Sequence, residues 1–145
     1  MTDKTRLRKN SEKKTYSVAA ATLLHTDVAD ANLVELFNLP PNCLIVDASV
    51  VVEVAGQSNL TVDFGFAGGN ELGNDLDIDG AGVVTVPETV SGSGTISTKS
   101  PRLTTGSGKN VTAKFSADPT AGKFHFIVEY IEYTLGNGKL TNYTA

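Results

Sequence analysis

The run DLDIDG sets Asp75, Asp77 and Asp79 at alternate positions ahead of Gly80. Alternate carboxylates followed by a bend that glycine permits form the first half of a calcium loop, in which oxygen ligands wrap a hard cation. The second half is missing. The twelfth loop position, where a bidentate glutamate closes the coordination shell, is Val86, and Glu88 comes two residues late. The same acids alternate with Leu76 and Ile78, the pattern of a short strand with one wet face. No resident metal is expected, and Asp75, Asp77 and Asp79 stand as the one partial match. His25 and His125 are the only histidines and lie far apart in the chain, with no second histidine or cysteine near either, so a zinc site is not expected. Cys43 opens an apolar run beside a Pro-Pro turn and reads as a small buried hydrophobe rather than a nucleophile. GSGTIS and TGSGKN are glycine-rich, yet neither matches a phosphate loop and neither is followed by a helical pattern. These residues form no catalytic constellation, so neither an enzyme nor a cofactor is expected.

Charge is the second source of function. The chain carries a formal net charge of −4, but it is unevenly placed. Residues 1–14 hold six Lys or Arg against Asp3 and Glu12, a net of +4, which leaves six bases against fourteen acids, a net of −8, on the rest. Leu7 is the one apolar residue of that leader beyond Met1, so the segment has almost nothing to bury and is expected to be disordered alone. The domain organisation read from this is a basic arm over residues 1–14 and one folded unit over residues 15–145, long enough to bury a core without staples. After Lys14 no secretory apolar stretch follows, and no run reaches the roughly 18 residues of a membrane span, so neither export nor a membrane is expected. A single cysteine fits a reducing compartment, and the sequons at Asn59, Asn110 and Asn142 then have no special meaning.

The elements that must carry these groups are strands. In CLIVDASVVVEVAG, period two puts Leu44, Val46, Ala48, Val50, Val52 and Val54 on one face, with Ile45, Asp47, Ser49, Val51 and Glu53 on the other. LTVDFGF turns Leu60, Val62, Phe64 and Phe66 inward, and VTAKFS does the same with Val111, Ala113 and Phe115. KFHFIVEYIEY sets Phe124, Phe126, Val128 and Tyr130 on its inner face. Its second face, with Ile127, Ile131 and Tyr133, is also rather apolar, and those three are the expected oligomer interface. LPPN, GFAGGN, DGAGV, SGSG, TGSGKN and DPTAG punctuate the strands, and Asn137-Gly138 suits a tight hairpin. One helical turn is expected over residues 27–31. The expected class is all-β: an antiparallel two-sheet sandwich, jelly-roll-like, of about eight strands, preceded by an extended basic arm.

The series from FNLPPNCLIVDASVVVEVAG through LTVDFGFAGG and NDLDIDGAGVVTV to the closing GKFHFIVEYIEY resembles the small β-sandwich virion proteins of tailed bacteriophages, many of which are capsid decoration, or cement, proteins. The resemblance covers about residues 33–133 and rests on strand order and turn composition. It implies a non-catalytic structural protein located in the virion and assembled in the host cytoplasm. It also implies the major capsid protein as partner and self-association, often as a homotrimer. The arm then supplies Lys4, Arg6, Arg8, Lys9, Lys13 and Lys14 to an acidic partner surface, with Leu7 and Tyr16 as apolar anchors. A passive solvated tail is the alternative for that arm. Nucleic acid is a poor partner, since the body is acidic and shows no basic face with interleaved aromatics. A carbohydrate-binding or head-fibre or tail-associated host-recognition module is the remaining alternative, with Tyr133 and Tyr143 its suggestive aromatics.

Overall fold

The computed structural model describes residues 17–85 and 108–132. The basic arm with Lys4 to Tyr16, the Asn137-Gly138 turn, and Tyr133 and Tyr143 lie outside the described residues. Eight strands follow one another: β1 (Ser17–Leu24), β2 (Val34–Leu39), β3 (Cys43–Val54), β4 (Thr61–Phe66), β5 (Gly73–Asp77), β6 (Gly82–Thr85), β7 (Lys109–Phe115) and β8 (Lys123–Glu132). They form two four-stranded sheets, which we term sheet A (order β1-β8-β3-β6) and sheet B (order β2-β7-β4-β5), with every pair antiparallel. First pairs with last, second with seventh, third with sixth and fourth with fifth. This nested pairing is what results when one long antiparallel ribbon is rolled on itself, the jelly-roll arrangement. Among the described residues no helix is long and apolar enough to cross a membrane.

Alternation delivers the core. Phe124 and Phe126 of β8 point inward from sheet A and meet Phe115 of β7 and Phe64 of β4 from sheet B, all four buried. The Phe64 and Phe126 rings are 5.3 Å apart and tilted, and Phe115 meets Phe124 at 5.7 Å and Phe126 edge-on at 6.4 Å. Tilted and edge contacts are the geometries that the ring quadrupole favours. Cys43, Val50, Val52, Leu60, Val62, Leu72, Ile78, Val111 and Val128 fill in around them, so Cys43 is packed as a hydrophobe.

Two expectations are corrected. The alternation of β3 is broken by register shifts between Ile45 and Asp47 and between Val52 and Val54. A bulge inserts one residue, so side chains before it change face. Cys43 and Ile45 therefore point inward together with Ala48, Val50 and Val52, while Leu44, Val46 and Val54 are exposed. The helical turn falls at His25–Asp27 rather than over residues 27–31. It starts there because the Asp27 carboxylate reaches back to accept the Leu24 amide at 2.8 Å. The following residues are held as a loop instead, with Asp30 accepting the Asn32 amide (2.9 Å) and buried Ala31 giving its carbonyl to the Phe115 amide (2.7 Å).

Candidate functional site

The two outer faces of the sandwich differ, and the difference locates the site. Sheet B is polar and partly covered by its own chain. The segment after β4 folds back over it: the Ala67 amide donates to the Asn110 carbonyl at 3.0 Å, and the Gly68 amide donates to Thr112 Oγ1 at 2.8 Å. Thr112 is left 1% exposed, the one buried polar side chain among the described residues and one that alternation assigns to the wet face. Gly65 has no Cβ because that space holds the Glu71 carboxylate, whose Oε2 accepts the Phe66 amide at 2.9 Å.

The acidic positions of DLDIDG lie on this side and are occupied locally. Asp75 sits at φ 49° in β5, with its amide on Asp63 Oδ1 at 2.8 Å. Asp77 Oδ1 accepts the Asp79 amide at 3.1 Å, and Asp79 Oδ2 accepts the Asn59 amide at 2.8 Å. Leu76 and Ile78 between them are buried. The Asp77 and Asp79 carboxylates thus brace backbone amides while Asp75 is held through its own amide, and among the described residues no group of three or more His, Cys, Asp or Glu side chains is placed to hold a metal ion. Asp63, Asp75, Thr61, Lys114 and Ser116 line a shallow concavity there.

Sheet A carries most of the exposed aliphatic side chains. Of the seven large hydrophobics that are exposed among the described residues, six belong to its strands: Val18, Leu24, Leu44, Val46, Val54 and Val83. Val83 and Val18 are 64% and 59% exposed. The register arranges the centre of this face in rows, Ala20 opposite Ile127 opposite Ser49, and Thr22 opposite His125 opposite Val51 opposite Val83. Of the three expected interface residues, Ile127 lies here between Ala20 of β1 and Ser49 of β3, and Ile131 lies here opposite Leu44 of β3, both half-buried. Near the start of β1, Asp47 stands directly opposite Glu129, which is itself opposite Val18. Like charges placed so are unfavourable in a sheet.

A polar group that the sequence did not reveal crosses the other end of the same face. Thr22 Oγ1 lies 2.9 Å from His125 Nδ1, His125 Nε2 lies 2.7 Å from Glu53 Oε2, and Lys123 Nζ reaches the two Glu53 oxygens at 3.0 and 2.9 Å. The hydrogen bonds from Lys123 and then from His125 hold the Glu53 carboxyl below its ordinary range. Hydroxyl, imidazole and carboxylate in line are the order of a base-activated nucleophile. Acyl transfer also needs donors about 3 Å from a developing oxyanion. The outward neighbours of Thr22 along β1 are Ala20 and Leu24, and the next residue across from His125 is Val51, all aliphatic. The group ties β1, β8 and β3 together across an exposed face. The one sequence signal for it was that His125 and Glu53 both fall on outward positions.

By sequence, neither a protein-family model nor a curated protein matches the chain. By structure it is similar to a chain of the capsid of Ralstonia phage GP4, at 22% identity and a TM-score of 0.59, and to a chain of the cyanophage Pam1 capsid asymmetric unit, at 13% identity and a TM-score of 0.57. Each match covers 83% of this chain and 86% of the other. At these identities what is shared is the fold.

Proposed function

We propose that this is a structural protein of a bacteriophage virion, a decoration protein that binds and stabilises the capsid shell without catalysis. The observation that carries the reading is the fold itself, an eight-stranded jelly roll matched over most of its length by chains from two phage capsids. The exposed aliphatic side chains of sheet A support it, because exposed hydrocarbon is favourable to bury against a neighbour and unfavourable to leave wet. In this reading Ile127, Ile131 and Tyr133 pack on another subunit of a closed oligomer, a trimer by resemblance. The basic arm of residues 1–14 lies on the major capsid protein or a neighbouring subunit. Fourteen extended residues span at most about 50 Å, enough to reach past the subunit's own body. The virion, assembled in the host cytoplasm, is its location.

The test is a reconstruction of the phage particle carrying a labelled copy of the chain. Density for the label at symmetry-related sites over the shell is expected. Label at the tail or on a head fibre would replace decoration with host recognition, and its absence from particles would end the virion reading. Deleting residues 1–14 should leave folding intact and loosen attachment, with the intact protein losing affinity more steeply as salt rises, since exposed charges are screened beyond about 10 Å at 0.1 M. Equal occupancy by truncated and intact protein would make the arm a passive tail.

A further inference from the structure

Two sheets have four edges, and a bare edge is a template for another strand unless something blunts it. Three edges here are blunted. Among the described residues strand β6 runs only four residues. Strand β5 carries Asp75 at a positive φ together with Asp77, and a register shift separates its partner's Val62 from Phe64. Strand β2 has a register shift between Glu35 and Phe37, with the charge of Glu35 beside it.

Strand β1 has none of these devices. It runs eight residues, SVAAATLL, in unbroken register with β8 from Ser17 opposite Tyr130 to Leu24 opposite Lys123, without a charge, a proline or a bulge. Among the described residues its only strand neighbour is β8. Its inward side chains Ala19, Ala21 and Leu23 are only half-buried, while the inward residues Phe124, Phe126 and Val128 of the strand beside it are 0% exposed. Among the described residues the sandwich is thus left unfinished along this one side.

We propose that β1 pairs with β1 of a second copy, antiparallel about a two-fold axis, so that the two four-stranded sheets become one continuous sheet. The occupant is a second copy because this edge is self-complementary. Face alternation is kept when the pairing centres on Ala20 or on Ala21, and the run of three alanines at the centre lets two such strands close without collision. No charged residue lies on β1, so pairing brings no like charges into register, whereas self-pairing at β2 or β5 would set Glu35 or Asp75 and Asp77 close to their own copies. This contact runs along the edge and is separate from the face that carries Ile127.

The full chain tests it by sedimentation over a concentration series together with residue-by-residue amide exchange. In an unpaired edge strand the amides that face β8 are protected and the alternate ones exchange freely. Edge pairing protects the alternate set as well, and only as the concentration rises. Val18→Lys places the charge that natural edges use, and Glu129 opposite it keeps the variant folded. It should weaken this association by about tenfold or more and free the alternate amides, while Val18→Thr leaves both unchanged. Ile127→Glu should disturb the proposed oligomer face and leave the edge protection in place, which separates the two contacts. Alternate β1 amides that exchange freely at every concentration, or that are protected independently of concentration, would overturn the proposal. Val18→Lys associating as the wild type does would overturn it too.

Discussion

Adjacent residues on β3 should respond very unequally to truncation, because the bulge after Ile45 decides which of them lies in the core. Ile45 is 5% exposed and Val46 is 41% exposed. Ile45→Ala removes three buried carbons, about 2.5 kcal/mol of transfer free energy at roughly 0.8 per group, and the cavity left behind brings the loss to about 3 to 4 kcal/mol. Val46→Ala removes two carbons that are little more than half covered, so about 1 kcal/mol is its ceiling, and a compact unfolded chain lowers it further. Urea unfolding at fixed protein concentration reads both, with an unchanged slope showing that the same surface is still exposed. Regular alternation from Leu44 to Val54 demands the reverse order. If Val46→Ala cost more than Ile45→Ala, or the two were equal, the bulge would be misplaced and the inward assignment of Cys43 and Ile45 would fall with it.

Phe126→Ala and Phe115→Ala should each cost about 3 to 5 kcal/mol, since both rings are buried where the two sheets meet, and a loss under about 1 kcal/mol in urea titration would deny them that place. Lys123 and then His125 hold the Glu53 carboxyl below the ordinary carboxylate range, so the stability it contributes is present above that range and fades as pH falls through its lower folded pKa. Glu53→Gln should therefore be less stable than wild type at neutral pH, with the two converging in acid, and a gap that persisted or widened in acid would contradict the pairing. Gly65→Ala should destabilise by about 1 to 3 kcal/mol, because a methyl there meets the Glu71 carboxylate and the Gly69 carbonyl. Gly80→Ala, with open space around it, should stay within about 0.5 kcal/mol in the same thermal or urea assay.

Much of the fold was legible because alternation is a local property. LTVDFGF and KFHFIVEYIEY each have one consistently apolar parity, and the structure buries Val62, Phe64, Phe124, Phe126 and Val128 accordingly. CLIV is apolar at four successive positions, so either parity satisfies it, and Ala48, Val50 and Val52 fix only the face that follows the bulge. Thr112 was missed for a different reason. It stands on an outward position of β7, and its burial depends on the Gly68 segment, far away in the chain, returning over sheet B. The Thr22, His125 and Glu53 group was equally hidden, since it requires β1, β8 and β3 to be neighbours, and pairing order leaves little trace in composition or spacing. Of the expected interface, Ile127 and Ile131 were readable as a second apolar parity on one strand, whereas the edge character of β1 follows from topology alone.

The same topology argues that contacts with other molecules fall on sheet A rather than sheet B. On sheet B the polar groups already have partners: Asp63 holds the Asp75 amide, Glu71 the Phe66 amide, Asp79 the Asn59 amide and Thr112 the Gly68 amide. A partner covering them would remove water from groups whose hydrogen bonds it could not improve, at a cost of about 1 to 3 kcal/mol for each one left imperfectly satisfied. On sheet A, Ala20, Ile127, Val51 and Val83 add hydrocarbon between the polar groups of the face, and each apolar Å² taken from water contributes about 25 cal/mol. Asp47 and Glu129 face one another beside Val18, where the chain comes into β1 from its basic leader. Like charges so placed are unfavourable in a sheet, and a cation brought against that margin, such as one from residues 1–14 with their net of +4, would offset them. A face with exposed hydrocarbon and an acidic margin is complementary to a partner that brings both hydrocarbon and positive charge, which is what the proposed second copy would bring.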